Sequence, residues 1–221
     1  MYLSLKGRLL VDGAIVVNEL VDLAKNSKKN CFMFKVDFEK AYNLVNWSFM
    51  DYMLSHFGLN IKWIGLICAY VFTSNLTILV NDFLTQEISI QKGLKQGDPL
   101  APFLFLMVAE GLSGLFSRAV DKQIFTGPRV GSSDLVVSHH HCMDDTIIMA
   151  KASYDNIWFI RTILRVFELV SGLRVDFVKS NRISSNPAFL GLACDYLHYQ
   201  QNSLSFKYFD LLGVNLRLSS T

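Results

Sequence analysis

The chain has 221 residues, 51% of them hydrophobic and 18% charged, which is ample for a packed core and excludes an intrinsically disordered segment. A net charge of +2 and a pI near 8.3 are too mild for binding nucleic acid through overall charge, so any basic groove must be local. Cys31, Cys68, Cys142 and Cys194 lie far apart with no C-x-x-C pair, which excludes a secreted disulfide framework and suits a reducing intracellular compartment, nuclear or cytoplasmic.

Met1 to Arg8 lack the basic-then-apolar order of a secretory signal, so export is not expected. Leu9, Leu10, Ile15, Val16, Leu20, Leu23 and Ala24 recur at roughly helical spacing, and Lys25 to Lys29 close that segment with cations where a helix C-terminus favours them. The apolar run from Cys31 to Phe38 predicts a strand carrying Asp37. A helix follows from Trp47 to about His56, stopped by Gly58.

Trp63 to Val80 carries no charge and is just long enough for a membrane span. Thr73-Ser74-Asn75 interrupts it with turn chemistry, so it reads as a buried helix from Ile61 to Phe72 and a strand from Leu76 to Val80, and no membrane partner is expected. Ile78-Leu79-Val80, a turn near Asn81-Asp82, and Gln86 to Ile90 predict a hairpin of half-buried strands. After the loop from Gln91 to Pro99, Asp98 reads as an N-cap and Pro99 as the first residue of an apolar helix running to about Val120.

Two strand-like runs, Leu135 to Met143 and Thr146 to Met149, flank the pair Asp144-Asp145. Tyr154 to Ser171 is an amphipathic helix with Ile157, Ile160, Ile163, Leu164, Phe167 and Val170 inward and Gly172 as its stop. Arg174 to Ser180, Phe189 to Leu192 and Leu204 to Phe209 predict further strands. No linker, repeat or low-complexity segment separates the parts, so any lobes are built from intertwined segments.

The chemistry gathers on acids. Apolar stems on both sides make Asp144-Asp145 the polar tip of an otherwise interior element, and a cation would relieve the repulsion between the two. Asp37 sits in a run too apolar for a random charge and is the natural third acid. Gly93 and Gly97 around Gln96 allow close backbone approach to a nucleotide, with the next helix start offering amides. An acid, a glycine loop and an acid pair in that order point to a nucleotide polymerase.

Three stretches carry a resemblance: Phe34-Lys35-Val36-Asp37-Phe38-Glu39-Lys40-Ala41-Tyr42, Gly93-Leu94-Lys95-Gln96-Gly97-Asp98-Pro99-Leu100-Ala101-Pro102, and Met143-Asp144-Asp145-Thr146. In this order they resemble the reverse-transcriptase motifs of plant non-LTR (LINE-type) retrotransposons, and the likeness continues through Ser171 to Ser180 and Leu204 to Gly213. The resemblance implies an α+β right-hand polymerase palm, an antiparallel sheet backed by helices, with partial fingers and no thumb. Residues 1–36 and about 50–90 would be fingers-like; 37–49 and 91–221 would be palm with a degenerate primer-grip region.

It also implies RNA-directed DNA polymerase activity on an RNA template, a DNA primer and deoxynucleoside triphosphates, with two Mg2+ ions for which Mn2+ substitutes. Asp37, Asp144, Asp145 and the Phe38 carbonyl would hold the ions. Tyr42 aligns with the steric gate that excludes a ribose 2′-hydroxyl, Gln96 and Gly97 with the nucleotide or template contact, Lys179 with the lysine that protonates pyrophosphate, and Arg8 with the fingers arginine.

Several positions depart from the family pattern. Cys142 and Met143 replace an aromatic and an alanine before the acids, His140-His141 replace Leu-Gln, Asn43 replaces an aspartate, and Tyr208-Phe209-Asp210-Leu211 replaces Tyr-Leu-Gly-Leu. His139, His140 and His141 do not make a zinc site, because consecutive strand residues alternate faces. These departures and the missing thumb lead to the expectation of a truncated copy with low or no independent activity. The alternatives are a non-catalytic nucleic-acid-binding remnant and another palm-fold nucleotidyl transferase such as a group II intron maturase.

Overall fold

The computed structural model describes residues 31–73, 75–130, 135–136, 138–142, 145–176, 181–184, 189, 191, 193, 196, 206–207 and 215–216. The expected helix from Leu9 to Lys29 lies outside them, as do Arg8, Asp144 and Lys179. The chain divides into two units, one of Met1–Asp37, Leu115–Ile163 and Val175–Thr221, the other of Phe38–Gly114 and Leu164–Arg174.

In the first unit, β1 (Cys31–Val36) has no alternation to give it a wet face: Phe32, Met33, Phe34 and Val36 are all buried. A strand buried on both faces belongs in the middle of a sheet. It lies there, with sheet order β12-β1-β10-β9 and every pairing antiparallel. Here β9 is His139–Cys142, β10 Asp145–Lys151 and β12 Asn181–Ser184. Thr146 to Ala150 of β10 are buried in a row, so both central strands are interior. Two short strands, β7 (Arg129–Val130) and β8 (Leu135–Val136), pair with each other, as do β13 (Phe206–Lys207) and β14 (Asn215–Leu216).

Aromatic rings fill this unit. Phe32 meets Phe189 edge-on at 5.9 Å, and Phe116 meets Phe125 edge-on at 5.3 Å. Buried Asn156 ties the unit's connections together. Its Nδ2 donates to the Thr126 carbonyl (3.0 Å) and the Lys151 carbonyl (2.8 Å), and its Oδ1 accepts from the Thr126 N–H (3.1 Å).

The second unit opens with β2 (Phe38–Glu39), α1 (Ala41–Leu44), α2 (Trp47–His56) and α3 (Ile61–Phe72). Asn46 caps α2, its Oδ1 accepting from the Ser48 and Phe49 N–H groups, and Gly58 at φ +75° ends it as the sequence predicts. Phe167 gathers Phe38 and Phe49, each about 6.0 Å away, into one cluster. Four two-residue strands follow, β3 (Asn75–Leu76), β4 (Leu79–Val80), β5 (Phe83–Leu84) and β6 (Ile88–Ser89).

Two long helices each contribute residues to both units. Helix α4 (Ala101–Asp121) is long and apolar enough to cross a membrane by length and composition, with mean hydropathy 1.5, but half of that stretch is buried inside the protein. Helix α5 (Tyr154–Ser171) keeps its predicted bounds, and Ile157, Ile160, Ile163, Leu164 and Phe167 are buried. Strand β11 (Arg174–Val175) follows it.

Several expectations are corrected. Strand β1 stops at Val36, leaving Asp37 between two strands rather than inside one. The hairpin turns on Asn81 and Asp82, both at positive φ, and its second arm is Phe83–Leu84, because a two-residue turn pairs its immediate flanks; Ile88–Ser89 pairs instead with Asn75–Leu76. Both residues of each of these four strands are exposed, since such short ladders carry no inner face. The α4 helix begins at Ala101, after a turn through Pro99 and Leu100.

The expected strand from Leu135 to Met143 is two strands with different partners, β7 for one and β10 for the other. Val170 is 43% exposed because it sits past the buried stripe of α5. The strand after Gly172 is only Arg174–Val175 among the described residues. Phe189 and Gly191, expected in a strand, are helical.

Replacing Asn156 by alanine removes three part-buried hydrogen bonds and takes their side-chain partner from the Thr126 N–H and the Lys151 carbonyl, while the Thr126 carbonyl keeps the Lys151 N–H. Asn156→Ala is expected to lower unfolding free energy by about 2–4 kcal/mol with an unchanged denaturant slope, read by urea titration. A loss below about 0.5 kcal/mol, the size of an ordinary surface change, would remove Asn156 from the structural core.

Candidate functional site

The acids occupy the end of the central ladder. The last β1–β10 pair is Val36 with Thr146; Asp37 directly follows Val36 beyond the end of β1, and Asp145, the first residue of β10, directly precedes Thr146. Asp37 is half-buried, and its carbonyl accepts a hydrogen bond from the Asp176 N–H at 2.8 Å. On the other side Asp145 pairs with Cys142, and only Met143 and Asp144 separate these two in sequence.

Among the described residues no three His, Cys, Asp or Glu side chains converge as a metal site. Asp144 and the side chain of Asp145 lie outside that description. The histidines hold successive ladder positions, His139 against Ile148, His140 against Ile147 and His141 against Thr146. His139 packs against the Phe116 ring at 5.8 Å, with Nδ1 2.9 Å from the Ser138 hydroxyl.

The second unit holds Phe38, Tyr42, Gln96 and Gly97. Phe38 is buried in β2, and Tyr42 on α1 is half-buried with its ring 5.1 Å from Phe105. Gln96 and Gly97 lie exposed in the loop before α4. The Asp98 N–H donates to the Lys95 carbonyl at 3.2 Å, closing a turn whose third residue, Gly97, has φ +88°. A turn of that shape favours glycine there.

Gly93 has a reason to be glycine within the fold itself. Its φ is +91°, and an added Cβ would stand 2.7 Å from the Asn43 carbonyl oxygen, so its bareness serves contact with α1. The loop entrance is pinned there: Gly93 N–H donates to the Val45 carbonyl, Leu94 N–H to the Tyr42 carbonyl, and the Trp47 indole to the Gly93 carbonyl at 2.7 Å. The amides at the start of α4 are also engaged, Leu100 N–H by Asp98 Oδ1 at 2.8 Å and Ala101 N–H by the Asp98 carbonyl.

At the loop's other end, the Tyr70 hydroxyl donates to Asp98 Oδ2 at 2.6 Å. This bond, then the Leu100 N–H, then nearby Lys95, hold the Asp98 carboxyl below its ordinary value, while the same bond and the carboxylate charge raise the Tyr70 phenol. Trp47, Tyr70, Lys92, Lys95 and Gln96 line a cleft of about 630 Å3. Aromatic faces beside lysines suit a stacked base with its phosphate. Sequence reasoning missed Trp47 and Tyr70 because both lie on apolar helices, where an aromatic reads as core; the lysines beside the glycine loop were the available signal.

A four-stranded antiparallel sheet packed with helical residues, with acids placed at the end of its central ladder, is the α+β palm of a polymerase. Residues 2–194 match the family model described as reverse transcriptase (RNA-dependent DNA polymerase), and the chain belongs to that family. An uncharacterized mitochondrial protein of Arabidopsis thaliana is 37% identical over 32% of this chain and 58% of its own length. A Pol polyprotein of the type-1 retrotransposable element R2 from Popillia japonica is 32% identical over 48% of this chain and 16% of its own. The solved telomerase of Candida tropicalis in complex with the TWJ fragment of telomeric RNA matches at a TM-score of 0.60 and 11% identity, over 82% of this chain and 30% of that one. This chain thus spans 58% and 16% of the two curated relatives.

The Tyr70–Asp98 pair makes a measurable signature. Tyr70 keeps its proton in the folded chain above the ordinary phenol value of about 10, so its contribution is full below that pH and is lost as pH rises through the folded value. Asp98 contributes above the ordinary carboxylate value of about 3.9 and loses its contribution as pH falls through the lowered one. Phenolate absorbance of the wild-type chain minus that of Tyr70→Phe is expected to give a group titrating above the ordinary range, returned toward it by Asp98→Asn. A difference curve at or below the ordinary phenol value would contradict the pairing.

Proposed function

We propose that this chain is the reverse transcriptase domain of a non-LTR (LINE-type) retroelement, of the kind carried by plants, that extends a DNA primer on an RNA template with deoxynucleoside triphosphates. The observation that supports this reading is that Asp37 and Asp145 each adjoin Val36–Thr146, the last pair of the ladder between two interior strands. The similarity to the type-1 retrotransposable element supports the retroelement part, and the Arabidopsis thaliana relative supports the plant part. Residues 1–36 and about 50–90 would act as fingers, and 37–49 with 91–221 as palm, in a reducing intracellular setting.

Asp37, Asp144 and Asp145, with the Phe38 carbonyl, would hold two Mg2+ ions, or Mn2+ in their place. The donor set fits, because hard divalent cations take oxygen ligands and magnesium needs few from the protein when phosphates and water complete its shell. When bound, such ions lower the pKa of the primer 3′-hydroxyl and neutralise charge gathering on the triphosphate. The chain's own part is to hold the acids at fixed positions on a rigid ladder, so that little reorganisation accompanies reaction.

Gln96 and Gly97, exposed in their turn, would contact the incoming nucleotide or its template base. Tyr42, braced by Phe105, would close off the sugar 2′-position. Lys179 would donate a proton to departing pyrophosphate, and Arg8 would meet the triphosphate from the fingers.

The test is primer extension on an RNA template with Mg2+ or Mn2+. Asp37→Asn and Asp144→Asn are each expected to cut incorporation by at least about a hundredfold while leaving the unfolding temperature nearly unchanged. Full incorporation by either variant would defeat the metal assignment. Tyr42→Ala is expected to raise ribonucleotide use by roughly ten- to a hundredfold, and unchanged sugar discrimination would remove Tyr42 from the gate. If the wild-type chain binds template–primer but extends nothing with either metal, a non-catalytic nucleic-acid-binding domain replaces this proposal.

A further inference from the structure

The loop carrying Gln96 is held unequally at its two ends. Its entrance is fixed to the α1–α2 junction by three hydrogen bonds, at Gly93 N–H, Leu94 N–H and the Gly93 carbonyl. Its middle, Lys95-Gln96-Gly97, is exposed. Its exit depends on Asp98, whose two carboxylate oxygens are divided: Oδ1 takes the Leu100 N–H of the following turn, and Oδ2 takes the Tyr70 hydroxyl of α3. Tyr70 itself is 59% exposed, so its ring has little packing role to explain its place.

We propose that Tyr70 is a positioning residue that fixes the Gln96 turn through Asp98, and so sets how tightly the turn receives a nucleotide. This rests on the reading of Gln96 as a nucleotide contact. Two oxygens held from opposite directions fix the carboxylate's rotation, and the Asp98 backbone closes the turn onto Lys95. Without the phenol the entrance stays pinned while the exit keeps only its bonds to the turn before α4, so Gln96 samples positions that receive the nucleotide less well. A binding-competent arrangement populated only part of the time weakens apparent affinity in proportion. Chemistry after binding is untouched, because Tyr70 approaches no reacting atom in this scheme.

The experiment compares the full wild-type chain, Tyr70→Phe, Asp98→Asn, the double variant and, as a control, Tyr52→Phe, which removes another exposed hydroxyl from the neighbouring helix α2. Two readouts are taken: KM and kcat for deoxynucleotide in primer extension, and the rate of tryptic cleavage after Lys95 without nucleotide. Tyr70→Phe is expected to raise KM roughly three- to tenfold with kcat nearly unchanged, and to speed cleavage by a similar factor. The double variant is expected to match the single ones, since both remove one interaction. Tyr52→Phe is expected to change neither readout.

Unchanged cleavage in Tyr70→Phe overturns the tether, and faster cleavage with unchanged KM overturns its role in nucleotide binding. A fall in kcat at constant KM overturns it as well. If the wild-type chain does not extend a primer, the polymerase reading fails on its own, and cleavage after Lys95 still decides whether Tyr70 holds the turn.

Discussion

Everything about the acids depends on one ladder, the antiparallel pairing of Cys31–Val36 with Asp145–Lys151. Because both strands are buried on both faces, neither can slip by a residue without moving a row of phenylalanine, methionine and isoleucine side chains out of matched packing. The register is therefore stiff, and stiffness at its end is what a site for charged chemistry requires. Carboxylates within a few ångströms of each other repel, and only a frame that costs more to deform than the repulsion supplies can keep them together.

The glycine loop of the second unit uses the opposite strategy. It carries its polar residues on an exposed turn and controls them through a few hydrogen bonds at its margins. Gly93 allows the backbone of the loop to lie against α1, and the Trp47 indole then reaches its carbonyl. Asp98 serves the following helix and Tyr70 at the same time. A turn built this way keeps its side chains open to solvent while its ends stay in register with four helices.

Local chemistry was legible where the signal was local. Gly58 and Gly172 mark helix ends with positive φ, so α2 and α5 kept their predicted limits. The failures share a cause. The run from Leu135 to Met143 has one composition and two partners, and pairing is not a property of the run itself. The exposed strands between Asn75 and Ser89 look half-buried by alternation, yet their neighbours leave both faces open. Tyr70 and Trp47 look like core residues until the loop they hold is placed beside them.

The sequence by itself determined the order of acid, glycine loop and acid pair and the helices that separate them, because each rests on residue type and short-range spacing. Only the tertiary structure decided that Val36, next to Asp37, pairs with Thr146, next to Asp145, that Gly93 answers to Asn43, and that a phenol 28 residues upstream secures Asp98. The reason is physical: caps and periodicities are set by interactions within a few residues. Register and tethering are set by which distant surfaces exclude water together, and that choice belongs to the packed chain as a whole.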